Sequence, residues 1–136
     1  MALMEWNDRL SVGIMVLDED HKKLVAMINE LFDNIMAENS KEKLGAVLNK
    51  LIQYTVEHFK REEAFFARTN YPLAAEHIKE HQKLTEQVLK VQSDFEKNID
   101  ATLSLHVMNF LRQWLTKHIQ GEDHKYTAHL NANGIH

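Results

Sequence analysis

Helix breakers are nearly absent from this chain, whose 136 residues include one proline, Pro72, and four glycines. Proline removes a backbone donor and glycine costs backbone entropy, so their scarcity makes long helices the economical way to satisfy the main chain. Apolar residues recur at helical spacing in four segments parted by short punctuation. After an arm over residues 1–17, the first helix is expected at 18–38, with Asp18 as N-cap and a stripe of His21, Leu24, Ile28, Leu31, Phe32 and Ile35. Ser40 is placed to cap the second, 41–68, whose stripe reads Leu44, Leu48, Leu51, Thr55, His58, Glu62 and Phe65. "TNYP" breaks the chain, with Pro72 where a first helical turn tolerates it. The third helix, 73–97, carries His77, His81, Leu84, Val88, Val91 and Phe95. "NID" turns into the fourth, 101–120, with Leu103, Val107, Phe110, Leu111, Trp114 and His118, and 121–136 form a C-terminal segment.

Long helices joined by short connections favour antiparallel neighbours. The expected fold is therefore all-α, an up-down-up-down antiparallel four-helix bundle with an N-terminal arm, in a single domain over residues 1–136. Trp6, Val12, Ile14 and Val16 of the arm are free to pack along the bundle. Sixteen basic against twenty acidic residues give a formal charge of −4 with no basic stripe, which argues against nucleic acid as a partner. There are no cysteines, so any metal must be held by nitrogen and oxygen. The N-terminus reads unlike a signal peptide, and no apolar run approaches the ~20 residues of a membrane span. No stable membrane insertion and a cytoplasmic location are expected.

Nine histidines ask for a use, and their heights along the helices supply one. At 1.5 Å per residue, His58 lies ~15 Å and Glu62 ~9 Å before the end of the second helix, while His77 and His81 rise ~6 Å and ~12 Å into the third. His21 in the first turn of the first helix and His118 in the last turn of the fourth belong to the same end of the bundle. Six polar side chains thus converge on one layer. A lone histidine on an apolar stripe is usually a core or boundary residue. Five histidines and a glutamate aligned at one height are another matter, since burying them unpartnered would cost several kcal/mol. Metal ions satisfy all of them at once, and the i,i+4 spacing of His77 and His81 aims two imidazoles at one ion. A further carboxylate is offered by "HIQGED". Glu122, at i+4 from His118, shares its face on a regular helix, whereas Asp123 is rotated by about 140°. Gly121 permits the helix to loosen there and turn Asp123 inward, so geometry leaves the two open.

The pattern His21, His58-x-x-x-Glu62, His77-x-x-x-His81 and His118-x-x-x-x-Asp123 resembles hemerythrin, in particular the single-domain bacterial kind, over nearly the whole chain. The resemblance implies two non-haem iron ions, oxo- or hydroxo-bridged, with dioxygen as ligand. By position, one iron takes His77, His81 and His118, the other His21 and His58, and Glu62 and Asp123 bridge them. The resemblance thereby favours Asp123 over Glu122. The two-histidine iron keeps an open position for dioxygen, walled by Leu24, Phe59, Trp114, Leu115 and Ile119. Ordinary core packing is the other role open to those five, and the two are compatible. Asp20 and Tyr126 are candidates to hydrogen-bond ligand groups. His106, His124, His129 and His136 fall outside the pattern and read as surface or tail residues.

Mixed imidazole and carboxylate ligation suits iron, although zinc or manganese would also fit. Five neutral imidazoles against two carboxylates favour the diferrous state, hence binding over oxygenation. The expected function is reversible dioxygen binding for storage, transport or delivery to an oxygen-consuming enzyme, without catalysis. The alternatives are a di-iron enzyme acting on peroxide or nitric oxide, oxygen or redox sensing, and a structural metal staple, such as zinc, in a protein-interaction bundle. No obvious proton donor stands in the expected pocket, which weighs against the enzyme.

Overall fold

A computed structural model describes residues 3–38, 40–97 and 105–136, with side chains from 108 onward in the last stretch. Four long helices dominate it: α1 Met15–Met36, α2 Lys41–Thr69, α3 Ala74–Glu96 and α4 Leu105–Gly121. They form an up-down-up-down antiparallel bundle in which α2 packs on both α1 and α3, and α4 closes back on α1. A 3-10 turn, Asp123–Tyr126, and a short helix α5, Thr127–Ala132, follow α4. The expected start of the fourth helix near Ala101 lies outside the described residues.

Local chemistry sets the helix ends. Ser40 caps α2 by accepting the Lys43 N–H at 3.3 Å. The same helix stops at Asn70, which adopts the left-handed conformation at φ 55° and donates its N–H to the Phe66 carbonyl. Asparagine tolerates that conformation, and Pro72 behind it prevents the helix from resuming at once. The first helix starts three residues before Asp18, at Met15. Asp18 is diverted from capping: its carboxylate accepts the Val12 N–H at 2.7 Å and the Ser11 hydroxyl at 2.6 Å. It pins the arm while still lying in the first turn, where the helix dipole favours an acid.

The arm closes one flank of the bundle. Met4, Leu10, Val12 and Ile14 are buried in the common core, Trp6 is half-buried, and Val16 points to solvent. The Asn29 side chain pairs with both the N–H and the carbonyl of Met4 at 2.8 Å each. Gly13 turns the chain at φ +71°, where a Cβ would also press on Thr127, whose hydroxyl donates to the Val12 carbonyl at 2.6 Å. Arm and C-terminal segment are thereby tied together. Leu17, Ile28, Leu31, Leu48, Leu51, Met108 and Leu111 fill the bundle axis, and no helix among the described residues is long and apolar enough to cross a membrane. Within this core the polar exceptions gather at one end.

Candidate metal centre

His21, His58, Glu62, His77, His81, His118 and Asp123 are all buried, most of them completely. The stripes place them as their heights require: His21 from α1, His58 and Glu62 one turn apart on α2, His77 and His81 one turn apart on α3, and His118 from the last turn of α4. Asp123 comes from the turn beyond. Helix α4 ends at Gly121, and the tighter 3-10 turn swings Asp123 inward to zero exposure while Glu122 stays half-buried and pairs with Lys125 at 3.0 Å. Among the described residues, nothing beyond its chain neighbours and its own helix backbone lies within 4 Å of a Cβ added at Gly121, so the glycine is not there to make room. Its contribution is the weakness of the helix at that point.

The donor atoms form two groups that share both carboxylates. Glu62, His77, His81, His118 and Asp123 make one, and His21, His58, Glu62 and Asp123 the other, with the donor atoms in each lying within 4.8 Å of one another. Each carboxylate divides its oxygens between the groups. Glu62 Oε1 lies 2.9 Å from His81 Nε2, while its Oε2 lies 3.5 Å from His58 Nε2. Asp123 Oδ1 lies 2.9 Å from both His77 Nε2 and His118 Nε2, while its Oδ2 lies 3.2 Å from His21 Nε2. His21 and His58 oppose their Nε2 atoms at 3.0 Å.

These separations suit a metal. With bonds of about 2.0–2.2 Å, neighbouring donors around one octahedral ion sit about 2.8–3.1 Å apart. Among the described residues, Glu62 Oε1, both Asp123 oxygens and the Nε2 atoms of His77, His81 and His118 are buried without a hydrogen-bond partner, close as they are to one another. So many unpartnered polar atoms in one spot would be costly in a native core unless a cation satisfied them.

Neighbouring side chains fix the inward lone pairs. His58 donates its Nδ1–H to Asp20 at 2.8 Å, and His81 donates its Nδ1–H to Glu63 at 2.8 Å, so Nε2 is the nitrogen that each turns to the site. Asp20 in turn accepts from the Tyr54 hydroxyl at 2.5 Å and from Arg61 at 2.7 Å. Tyr126, fully buried, donates to Glu62 Oε2 at 2.6 Å. Asp20 and Tyr126 thus each hydrogen-bond a member of the cluster. Glu63, Tyr54 and Arg61 carried no pattern in the sequence, because each meets its partner across the bundle and sits on a face that reads as solvated. Of the histidines left aside, His124 and His136 are exposed, but His129 is half-buried with its ring nitrogen 2.9 Å from the Thr69 carbonyl. The His106 side chain lies outside the described residues.

The electrostatics ask for positive charge. Burial works against a charged His58, but Glu62, Asp20 and Asp123 outweigh it and push the imidazole up to about 10. The same contest, with Asp123 and Glu62 prevailing over burial, raises His77 to about 9. Burial and the Glu62 charge press the Asp123 carboxyl upward, yet the surrounding imidazoles hold it well below the usual carboxylate range. Glu62, raised by burial and lowered more strongly by His58, His77 and His81, also stays ionised.

A narrow cleft adjoins the site on the His21 and His58 side. It is lined by those two rings with Leu24, Phe59, Leu84, Trp114, Leu115 and His118. Four of the five expected pocket residues line it; Ile119 is fully buried but not part of the lining, and Leu84 of α3 takes a place there. Phe59 also stacks on His81, rings 3.8 Å apart and 9° from parallel.

The comparisons with known proteins agree with this architecture. Residues 12–130 match the family model of the hemerythrin HHE cation binding domain. A bacteriohemerythrin of Stenotrophomonas maltophilia is 34% identical over 137 residues, covering 96% of this chain and 86% of that protein. A bacteriohemerythrin of Methylococcus capsulatus is 34% identical over 133 residues, covering 97% and 100%. Among solved structures, wild-type hemerythrin superposes with a TM-score of 0.87 at 32% identity, covering 95% of this chain and 98% of that one. With a match that runs from the arm through α5 and a buried histidine and carboxylate cluster at its centre, the chain belongs to the hemerythrin family.

Proposed function

We propose that this chain, as one domain over residues 1–136, binds dioxygen reversibly at two non-haem irons. His77, His81 and His118 would hold one iron, His21 and His58 the other, and Glu62 and Asp123 would bridge them. The iron pair, when bound, supplies the two electrons that dioxygen takes up and returns. The observation that carries the reading is the unequal division of donors: three imidazoles on one side of the shared carboxylates and two on the other, with the two-imidazole side facing the cleft. That side has room in its donor set for an outside ligand.

The protein's own residues favour binding over turnover. Leu24, Phe59, Leu84, Trp114 and Leu115 exclude water from the cleft and so slow the proton delivery that would release a reduced product. Among the described residues, the ionisable side chains lining the cleft are three imidazoles, His21, His58 and His118, all within the donor set itself. Tyr126 holds Glu62 in place from outside, and Asp20 and Glu63 do the same for His58 and His81. Storage, transport or handover to an oxygen-consuming enzyme in the cytoplasm are the uses this reading serves.

The test is a cycle. Protein loaded with ferrous iron without air should contain about two irons per chain, change its absorption spectrum when dioxygen is added, and recover the first spectrum when dioxygen is removed. Loss of iron or failure to recover the starting spectrum refutes reversible binding. Steady consumption of peroxide or nitric oxide with an electron donor would identify an enzyme instead.

A further inference from the structure

Among the described residues, the two-imidazole side of the centre has a single acceptor behind its rings. His58 leans on Asp20, whereas among the described residues the buried Nδ1 of His21 has no partner. Asp20 is thus the acceptor, among the described residues, through which outer partners reach an imidazole of this half. That carboxylate, 4% exposed, is shared three ways: Oδ2 accepts both the His58 Nδ1–H at 2.8 Å and the Arg61 guanidinium at 2.7 Å, and Oδ1 accepts the Tyr54 hydroxyl at 2.5 Å. Glu63, the corresponding partner of His81, differs. Among the described residues His81 is its only donor, and its side chain is 31% exposed, so water competes for it.

We infer that Arg61 and Tyr54 are positioning residues that weaken, through Asp20, the electron donation of His58 to its metal. An imidazole whose outer N–H is held by a carboxylate becomes a more basic ligand. A carboxylate that already serves a guanidinium and a phenol has less negative charge to spend on that N–H, because charge-assisted hydrogen bonds share the same oxygen lone pairs. Left alone, Asp20 would pull harder on His58, enrich the ring and favour the ferric state at the half facing the cleft. Arg61 and Tyr54 hold that pull down and keep the ferrous state accessible. The inference builds on the dioxygen-carrier reading, since reversible binding requires a return to that state.

The sign of the effect separates tuning from mere support. In iron-loaded Arg61→Met and Tyr54→Phe, a mediated spectroelectrochemical titration should show the midpoint potential shifted downward, further in the double variant, with Arg61→Lys close to wild type. Zinc titrated by chelator competition should bind more tightly in Arg61→Met, on the order of the tenfold changes that outer partners exert. In the zinc-loaded protein, the Nδ1 proton of His58 should move downfield in both variants as its bond to Asp20 strengthens. A role confined to holding Asp20 in place predicts the reverse: weaker zinc binding, an unchanged or raised potential and an upfield or broadened proton signal. Any of these overturns the inference. The zinc arm needs no dioxygen, so a protein that shows the tuning but does not release dioxygen refutes the carrier reading alone.

Discussion

Tyr126 donates its phenolic proton to Glu62 Oε2 at 2.6 Å, across 64 residues of sequence and with both side chains fully buried. The oxygen it holds is the one that faces His21 and His58. One hydrogen bond thus locks the turn after α4 onto α2 and aims a shared carboxylate. Tyr126→Phe keeps the ring but leaves the acceptor unpaired, which should cost about 1–3 kcal/mol of stability. It should also weaken metal retention about tenfold. Thermal unfolding and chelator competition check the two effects separately, and retention equal to wild type would show that Tyr126 only packs.

Removing a donor should empty one side of the site. His77→Ala or His81→Ala takes an imidazole from the three-histidine group, and iron content should fall from about two per chain toward one or none. His124→Ala, at an exposed position next to Asp123 in sequence, should leave it unchanged. Metal analysis after desalting distinguishes them. Equal iron in all three variants would contradict the assignment of the site.

The metal-free protein should lose stability as the solution turns alkaline. His58 and His77 are raised from 6.5 to about 10 and about 9, so the folded state holds their protons more tightly than the unfolded chain does. That stabilisation is complete below pH 6.5 and disappears as pH rises through the folded values. Glu62 and Asp123 shift the other way, from 4.5 and 3.8 downward, and their stabilisation is lost on acidification. Stability of the chelated protein should therefore peak between pH 4.5 and 6.5 and fall toward pH 10. Metal reverses the alkaline slope, because bound ions replace those protons, and mild acid releases the metal as imidazoles are protonated. Thermal midpoints across this range, with and without metal, provide the check.

Phe59 stands between the cleft and an outer groove on the α2 and α3 surface, and it lines both. Phe59→Ala opens one to the other and removes the ring stacked on His81. A loss of about 3–5 kcal/mol is expected from the deleted ring. Oxidised iron should also accumulate faster in air as water reaches the site. Denaturant titration and the rate of spectral decay measure these outcomes, and decay at the wild-type rate would deny Phe59 a protective role.

Much of this protein was legible in its residues because periodicity is a local property. Scarce breakers and four amphipathic stripes specify long helices, and short connectors make neighbours antiparallel, so six of the seven clustered donors could be placed at one level from spacing and rise. The helix starts were less secure. Asp18 looks like a cap, but the arm offered its carboxylate better-placed donors at Val12 and Ser11, and α1 began earlier.

Tertiary structure decided what spacing could not. Glu122 and Asp123 were equal by helical geometry until the chain left α4 at Gly121 and tightened into a 3-10 turn, which buried Asp123 and left Glu122 to Lys125. Glu63, Tyr54 and Arg61 had no signature at all: their roles depend on which face of a neighbouring helix they meet, and that is fixed by packing. Sequence by itself determined the helices and the layer of imidazoles, since both follow from positions along one chain. The partners of those imidazoles came only with the fold, since a hydrogen bond between α1 and α2 or between α2 and α3 depends on how the helices are rotated against each other, and no single stripe records that.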